Sequence, residues 1–241
     1  MIDITINFIG GGIIGVVLAW ILNQWTRLFI NNLPSEDYKV SPISTSENNL
    51  KKISIFGLYI GMTIFTSILN VWRQWSPEFL NDLILVGALV GLARIDIKTM
   101  FIDGRIIALA VILRLIWLLF FAPQEIINSF TGLLFGAGML YLTGFLYQTF
   151  RHRQGLGDGD AAVLGLIGMW VGWHELLKVI LIAALSGILI GGIAILKNKQ
   201  NNFNIKHFLT TKIPFSPFLC FGGLIVYFFE ETGFFELLLV F

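Results

Sequence analysis

Long apolar runs separated by short polar breaks dominate this sequence of 241 residues. Eight of them read as candidate membrane spans, near 6–24, 53–71, 79–95, 106–122, 126–149, 160–173, 177–196 and 214–229. A hydrocarbon core takes roughly 20 residues of apolar helix to cross. The runs at 160–173 and 214–229 are short, which implies tilt, local thinning or partial re-entry. All eight are continuous, not alternating, and outlast the strands of a membrane barrel. Lipid offers the backbone no hydrogen-bond partners, so the expected fold class is all-α: a polytopic membrane protein of about eight transmembrane helices. Composition agrees. With 56% hydrophobic and 13% charged residues, the chain could not cover the surface of a water-soluble domain. A disordered chain and a nucleic-acid binder are excluded on the same ground. The single cysteine, Cys220, rules out a disulfide scaffold and any multi-cysteine zinc site.

Because charges are few, their placement is legible. The breaks after the first, third, fifth and seventh runs hold Arg27, Lys39, Lys51, Lys52, Arg94, Lys98, Arg105, Arg151, Arg153, Lys197, Lys199, Lys206 and Lys212, thirteen of the 16 basic residues. Positive charge collects on the cytoplasmic side, so both termini are expected outside and these four breaks inside. The first run is preceded by Asp3 and has no basic segment before it, so it is expected to be a retained helix and not a cleaved signal. By sequence character the chain divides into 1–52, a first helix with a polar cytoplasmic loop, and 53–241, a helical membrane domain. Glycine clusters at Gly10–Gly12 and Gly191–Gly192 suit close helix contact, and Trp72, Trp75, Trp170 and Trp173 suit an interfacial belt.

Two acidic groups stand at the ends of apolar runs on the expected cytoplasmic side. Asp96 follows LILVGALVGLARI, with Asp103 seven residues on, and Asp158 and Asp160 lie in GLGDGD. Ionisable groups at membrane depth are costly and point to function. Two carboxylates held close cannot both ionise easily, so one acts as base toward water while its protonated partner polarises a carbonyl. Plainer readings also fit these residues: Asp160 as a helix N-cap, and Asp96 paired with Arg94 or Lys98. The same acids, Asp96, Asp103, Asp158 and Asp160, also suit an oxygen-rich Mg²⁺ site for phosphotransfer on a lipid-linked substrate.

Three segments, taken in order, resemble the type IV prepilin peptidases, intramembrane aspartyl proteases of the GxGD class. Residues 95–103, IDIKTMFID, are similar to the family's stretch of Asp, five variable residues, a branched apolar residue and usually proline. Gly155-Leu156-Gly157-Asp158-Gly159-Asp160, with a continuation ending in Gly172-Trp173, resembles the GxGD element. Residues 213–219, IPFSPFL, look like the Pro-Phe-Gly-Pro-Phe-Leu stretch that opens the family's last helix. The resemblance implies Asp96 and Asp160 as the catalytic pair. Ile102, Gly155, Gly157, Gly159, Pro214, Phe215 and Pro217 are the motif residues that would support them, and Asp103, Asp158 and Lys98 are candidate modulators. It further implies cleavage of the leader from prepilins or pseudopilins at the cytoplasmic face, commonly after glycine and just before the substrate's apolar helix. The setting would be the plasma (inner) membrane of a prokaryote, with membrane lipids as the other partners.

The chain departs from the family in three places. Asp103 stands where proline is usual. The first cytoplasmic loop lacks the paired CxxC motifs of many bacterial members, so the zinc site associated with them is not expected. No glycine-rich cofactor loop is visible. Proteolysis is expected to need no cofactor or metal, and S-adenosylmethionine enters only if the methylation common in the family is retained, which the sequence leans against. A non-catalytic assembly factor for pili or secretion is the third alternative.

Overall fold

The computed structural model describes residues 2–33, 47–151, 157–198 and 214–231. Among them run eight α-helices: α1 (Ile2–Asn31), α2 (Glu47–Arg73), α3 (Pro77–Thr99), α4 (Gly104–Phe121), α5 (Ile126–Arg151), α6 (Asp158–Val171), α7 (Leu176–Asn198) and α8 (Ser216–Glu231). A single 3-10 turn, Pro123–Glu125, joins α4 to α5, and no strand occurs among the described residues. Each expected run corresponds to one of these helices, with 122, 172–173 and 214–215 falling outside the helix ends. Five helices are long and apolar enough to cross a membrane. The two short runs form the short helices α6 and α8, of 14 and 16 residues. α3 has the length to cross but buries Asp82, Arg94 and Asp96.

The chain forms two compact units, Met1–Thr99 and Met100–Phe241. The boundary read from sequence character, between residues 52 and 53, falls inside α2. Contacts, not polarity, set the compact units. In the first unit, α1 lies directly on α2. A side chain at Gly11 would meet the Thr66 carbonyl oxygen at 2.5 Å, so only glycine permits this approach. The fully buried Thr66 hydroxyl donates across the seam to the Gly11 carbonyl at 2.8 Å. Further along, Asn70 Nδ2 donates to the Asn7 carbonyl at 2.9 Å, and the Trp75 indole N–H donates to Asn7 Oδ1 at 2.8 Å. The fully buried Asp82 of α3 accepts from Arg73 Nε at 2.8 Å, so its charge is matched where desolvation makes a lone carboxylate costly.

In the second unit, α5 and α6 meet backbone to backbone. Gly132 faces the carbonyl of Gly168, and Gly168 faces that of Gly132, so a Cβ at either would strike the opposite main chain. Gly136 repeats the contact one turn on, against the Leu164 carbonyl at 2.5 Å. Arg114 is buried in α4. Its Nη2 lies 3.4 Å from Glu125 Oε2, and its guanidinium stands 4.9 Å from the centre of the Trp117 ring and 5.2 Å from that of Trp170. Trp170 is therefore an interior partner of a cation and not part of an exposed belt, while Trp72, Trp75 and Trp173 are exposed. The expectation for the glycine clusters divides in the same way. Gly10–Gly12 sit against α2 and Trp75, whereas Gly191 and Gly192 meet nothing within 4 Å among the described residues. At the start of α7, Lys178 Nζ bridges Glu175 at 2.6 Å and Glu230 at 3.2 Å, which ties α7 to the end of α8.

Forcing a large side chain into a tight contact costs about 1–3 kcal/mol, and more when backbone must move. Gly168→Leu is therefore expected to lower the melting temperature of the detergent-purified protein by several degrees or to prevent its accumulation. Gly191→Leu, on an open face of α7, is expected to melt as wild type does.

Candidate active site

The site is built around the first turn of α6. Gly157 is its N-cap, with extended φ −74° and ψ 131°, and no side chain caps this end. Asp160 is the third helical residue, and its N–H donates to the Gly157 carbonyl at 3.0 Å. The N-cap reading that the sequence left open for Asp160 thus falls to Gly157, and the half-buried Asp160 carboxylate turns elsewhere. Its Oδ1 accepts a hydrogen bond from the hydroxyl of Ser216, the first residue of α8. Its Oδ2 lies beside Gly157, where a Cβ would come within 3.4 Å of it.

α8 starts here for local reasons. The Phe215 carbonyl accepts from the N–H groups of Phe218 at 3.0 Å and Leu219 at 3.2 Å, which closes the first turn. Pro217 sits at the second helical position, where a missing N–H costs nothing. Pro214 and Phe215 lead in as half-buried, irregular chain. Pro214, Phe215 and Pro217 therefore support the site by placing the start of α8 against the start of α6.

Gly159 has a separate task. A Cβ there would strike Ile102 Cγ1 and come within 2.9 Å of Ile102 Cβ. The branched apolar residue of the 95–103 stretch, Ile102, is thus seated on the second glycine of the GxGD element. Asp103, next to it, is 3% exposed and caps α4: its Oδ1 accepts from the Arg105 N–H at 3.0 Å. Its φ of −81° is one that proline also adopts, so Asp103 follows a backbone path compatible with the family's usual residue while adding a cap.

Asp96 belongs to the first unit. It is buried in the last turn of α3, among Leu92, Ile95 and Thr99, and is 5% exposed. The Thr99 hydroxyl donates to the Ile95 carbonyl at 2.9 Å. Arg94 points to α1, where its Nη2 donates to Asn23 Oδ1 at 2.9 Å, and Lys98 is exposed. Asp158 is the first residue of α6. Gly155 and the neighbouring His152 lie outside the described residues, as do Ile213 and residues 34–46 of the first loop. Among the described residues, no three His, Cys, Asp or Glu side chains gather closely enough to hold a metal ion. Sequence reasoning missed Ser216. Its signal was the one departure inside IPFSPFL, a serine where the resembled stretch has glycine.

Residues 83–192 match the model of the type IV leader peptidase family. The match takes in α3 from its second turn, all of α4–α6 and most of α7, and so includes both Asp96 and Asp160. The chain is 30% identical over 158 residues to a prepilin leader peptidase/N-methyltransferase of Burkholderia pseudomallei (strain 1026b), covering 64% of this chain and 47% of that protein. It is 28% identical over 182 residues to the protein of that name from Pseudomonas aeruginosa, covering 71% and 58% respectively. With the Legionella pneumophila protein of that name it shares 26% over 176 residues, 69% of this chain and 57% of the relative. The chain therefore spans about half the length of these relatives. No solved structure gives a significant match.

Loss of a side-chain N-cap costs about 1 kcal/mol. Asp103→Ala is expected to lower the thermal stability of the purified protein accordingly. Asp103→Asn and Asp103→Ser, which keep an acceptor, should hold it near wild type. Equal melting of all four proteins would remove the cap from the account of this turn.

Proposed function

We propose that the chain is an aspartic endopeptidase that removes the leader from prepilin-like substrates at the cytoplasmic membrane face. The observation that carries this reading is the Asp160 carboxylate. It stands at the start of α6 with one oxygen held by Ser216 and the other beside an exposed glycine, inside the segment that matches the leader peptidase family. Asp96 is the second member of the pair. It is a buried carboxylate in the last turn of α3, within the same matched segment.

In the proposed reaction one aspartate, ionised, takes a proton from water as the water oxygen adds to the scissile carbonyl. The other, protonated, donates its proton to the carbonyl oxygen. Collapse of the tetrahedral intermediate breaks the C–N bond. The proton first taken from water passes to the departing amine, a hydroxyl of the intermediate returns its proton to the second aspartate as the C=O bond re-forms, and the leader's new carboxyl group and a new N-terminal amine are released. No cofactor is consumed. S-adenosylmethionine would enter only through a separate methylation of the new amine, which is not part of the proposal. The substrate is expected to present a leader ahead of an apolar helix, which lipid would hold beside the helices of this protein.

The test is co-expression with a reporter made of a short basic leader ending in glycine, followed by an apolar helix of about 20 residues. Asp96→Asn and Asp160→Asn keep size and remove the acid. Each is expected to abolish leader removal while the protein still accumulates in the membrane. Wild-type cleavage by either variant contradicts the two-aspartate mechanism.

A further inference from the structure

Ser216 is fully buried at the first position of α8, and its hydroxyl makes a single hydrogen bond among the described residues. A serine at a helix start ordinarily turns its oxygen toward the backbone N–H groups of its own first turn. Here that turn is closed by the carbonyl of Phe215, and the hydroxyl gives its one proton to Asp160 Oδ1. A hydroxyl-to-carboxylate bond is charge-assisted, short and directional.

The two oxygens of Asp160 are thereby made unequal. Oδ1 faces the buried Ser216, and Oδ2 lies beside Gly157, which is exposed and has no side chain to cover it. We infer that Ser216 is a positioning residue for the cleavage reaction: its hydroxyl locks the Asp160 carboxylate in one rotamer and presents Oδ2, on the open side, to the water that is activated. The inference rests on the reading of Asp160 as a member of the catalytic pair. Its geometric part, a buried donor on one carboxylate oxygen and an uncovered glycine beside the other, is local to the starts of α6 and α8. Glycine in the resembled stretch offers no hydroxyl at this position, so the serine tunes a site that can work without it. Its removal should slow cleavage and not abolish it.

The experiment measures kcat and KM of the purified protein on the leader–helix reporter for Ser216→Ala, Ser216→Gly and Ser216→Thr, with melting temperatures alongside. Losing one charge-assisted hydrogen bond used in the rate-limiting step corresponds to about a tenfold fall in rate. Ala and Gly are expected to lower kcat by about tenfold and equally, with KM unchanged, since both lack the donor. Thr, which keeps the hydroxyl, is expected to stay within about threefold of wild type. Wild-type kcat in the Ala variant overturns the inference. So does a loss that deepens from Ala to Gly in step with melting temperature, because that order follows side-chain volume and not the donor. A Thr variant that melts as wild type but cleaves no better than Ala overturns it as well. If Thr fails to fold, the comparison of Ala with Gly decides. Asp160→Asn is run in parallel. Full activity there removes the reading of Asp160 itself, whereas an inactive Asp160→Asn beside a fully active Ser216→Ala removes only the role of Ser216.

Discussion

Lipid supplies no hydrogen bonds, so a chain that crosses it must satisfy each backbone group within its own helix and each charge with a partner of its own. Most of this structure follows from that constraint. The described chain is helical almost throughout. Helices with apolar surfaces on both sides gain little hydrophobic energy by meeting one another in lipid, so close backbone contact has to hold them together. Glycine provides it at Gly11 against Thr66 and at Gly132 against Gly168. The buried charges follow the same rule. Asp82 is matched by Arg73, Arg94 is held by Asn23, and Arg114 lies among Glu125 and two tryptophan rings. Among the described residues, the Asp160 carboxylate instead meets the hydroxyl of Ser216.

The helices were largely legible in the sequence, because a continuous apolar run long enough to cross a membrane has few other ways to fold. The ends were less so. The first run, 6–24, becomes a helix from Ile2 to Asn31, since hydropathy marks the part suited to lipid while the backbone continues helical past it through Thr26 and Arg27. Hydropathy also cannot tell a lipid-facing helix from an enclosed one. The run at 79–95 reads like its neighbours, yet its helix is the one that buries Asp82, Arg94 and Asp96. The grouping into compact units was not legible at all. It depends on contacts such as Thr66 with Gly11, which are 55 residues apart and leave no local trace.

At the candidate site, the resemblance of GLGDGD to the GxGD element pointed to Asp160, and the structure gives each neighbouring glycine a physical task. Gly157, itself exposed, caps the helix and lies beside Oδ2, and Gly159 admits Ile102. What the motif could not convey is that two distant segments meet. Ser216 lies 56 residues from Asp160, and only the docking of α8 on α6 brings hydroxyl to carboxylate. Asp103 shows the reverse case. In sequence it is an extra acid near the site, and in the structure its carboxylate is committed to the start of α4. A count of nearby acids therefore overstates how many are free for chemistry.

We propose metal-independent peptide cleavage by Asp96 and Asp160, in a chain whose residues 83–192 match the type IV leader peptidase family model. The most direct measurement is mass spectrometry of the leader–helix reporter after incubation with the purified protein, with and without EDTA. The account predicts one cut at the junction of leader and apolar helix, made at the same rate in both samples. An uncut reporter, or a cut that EDTA abolishes and Mg²⁺ restores, would contradict it.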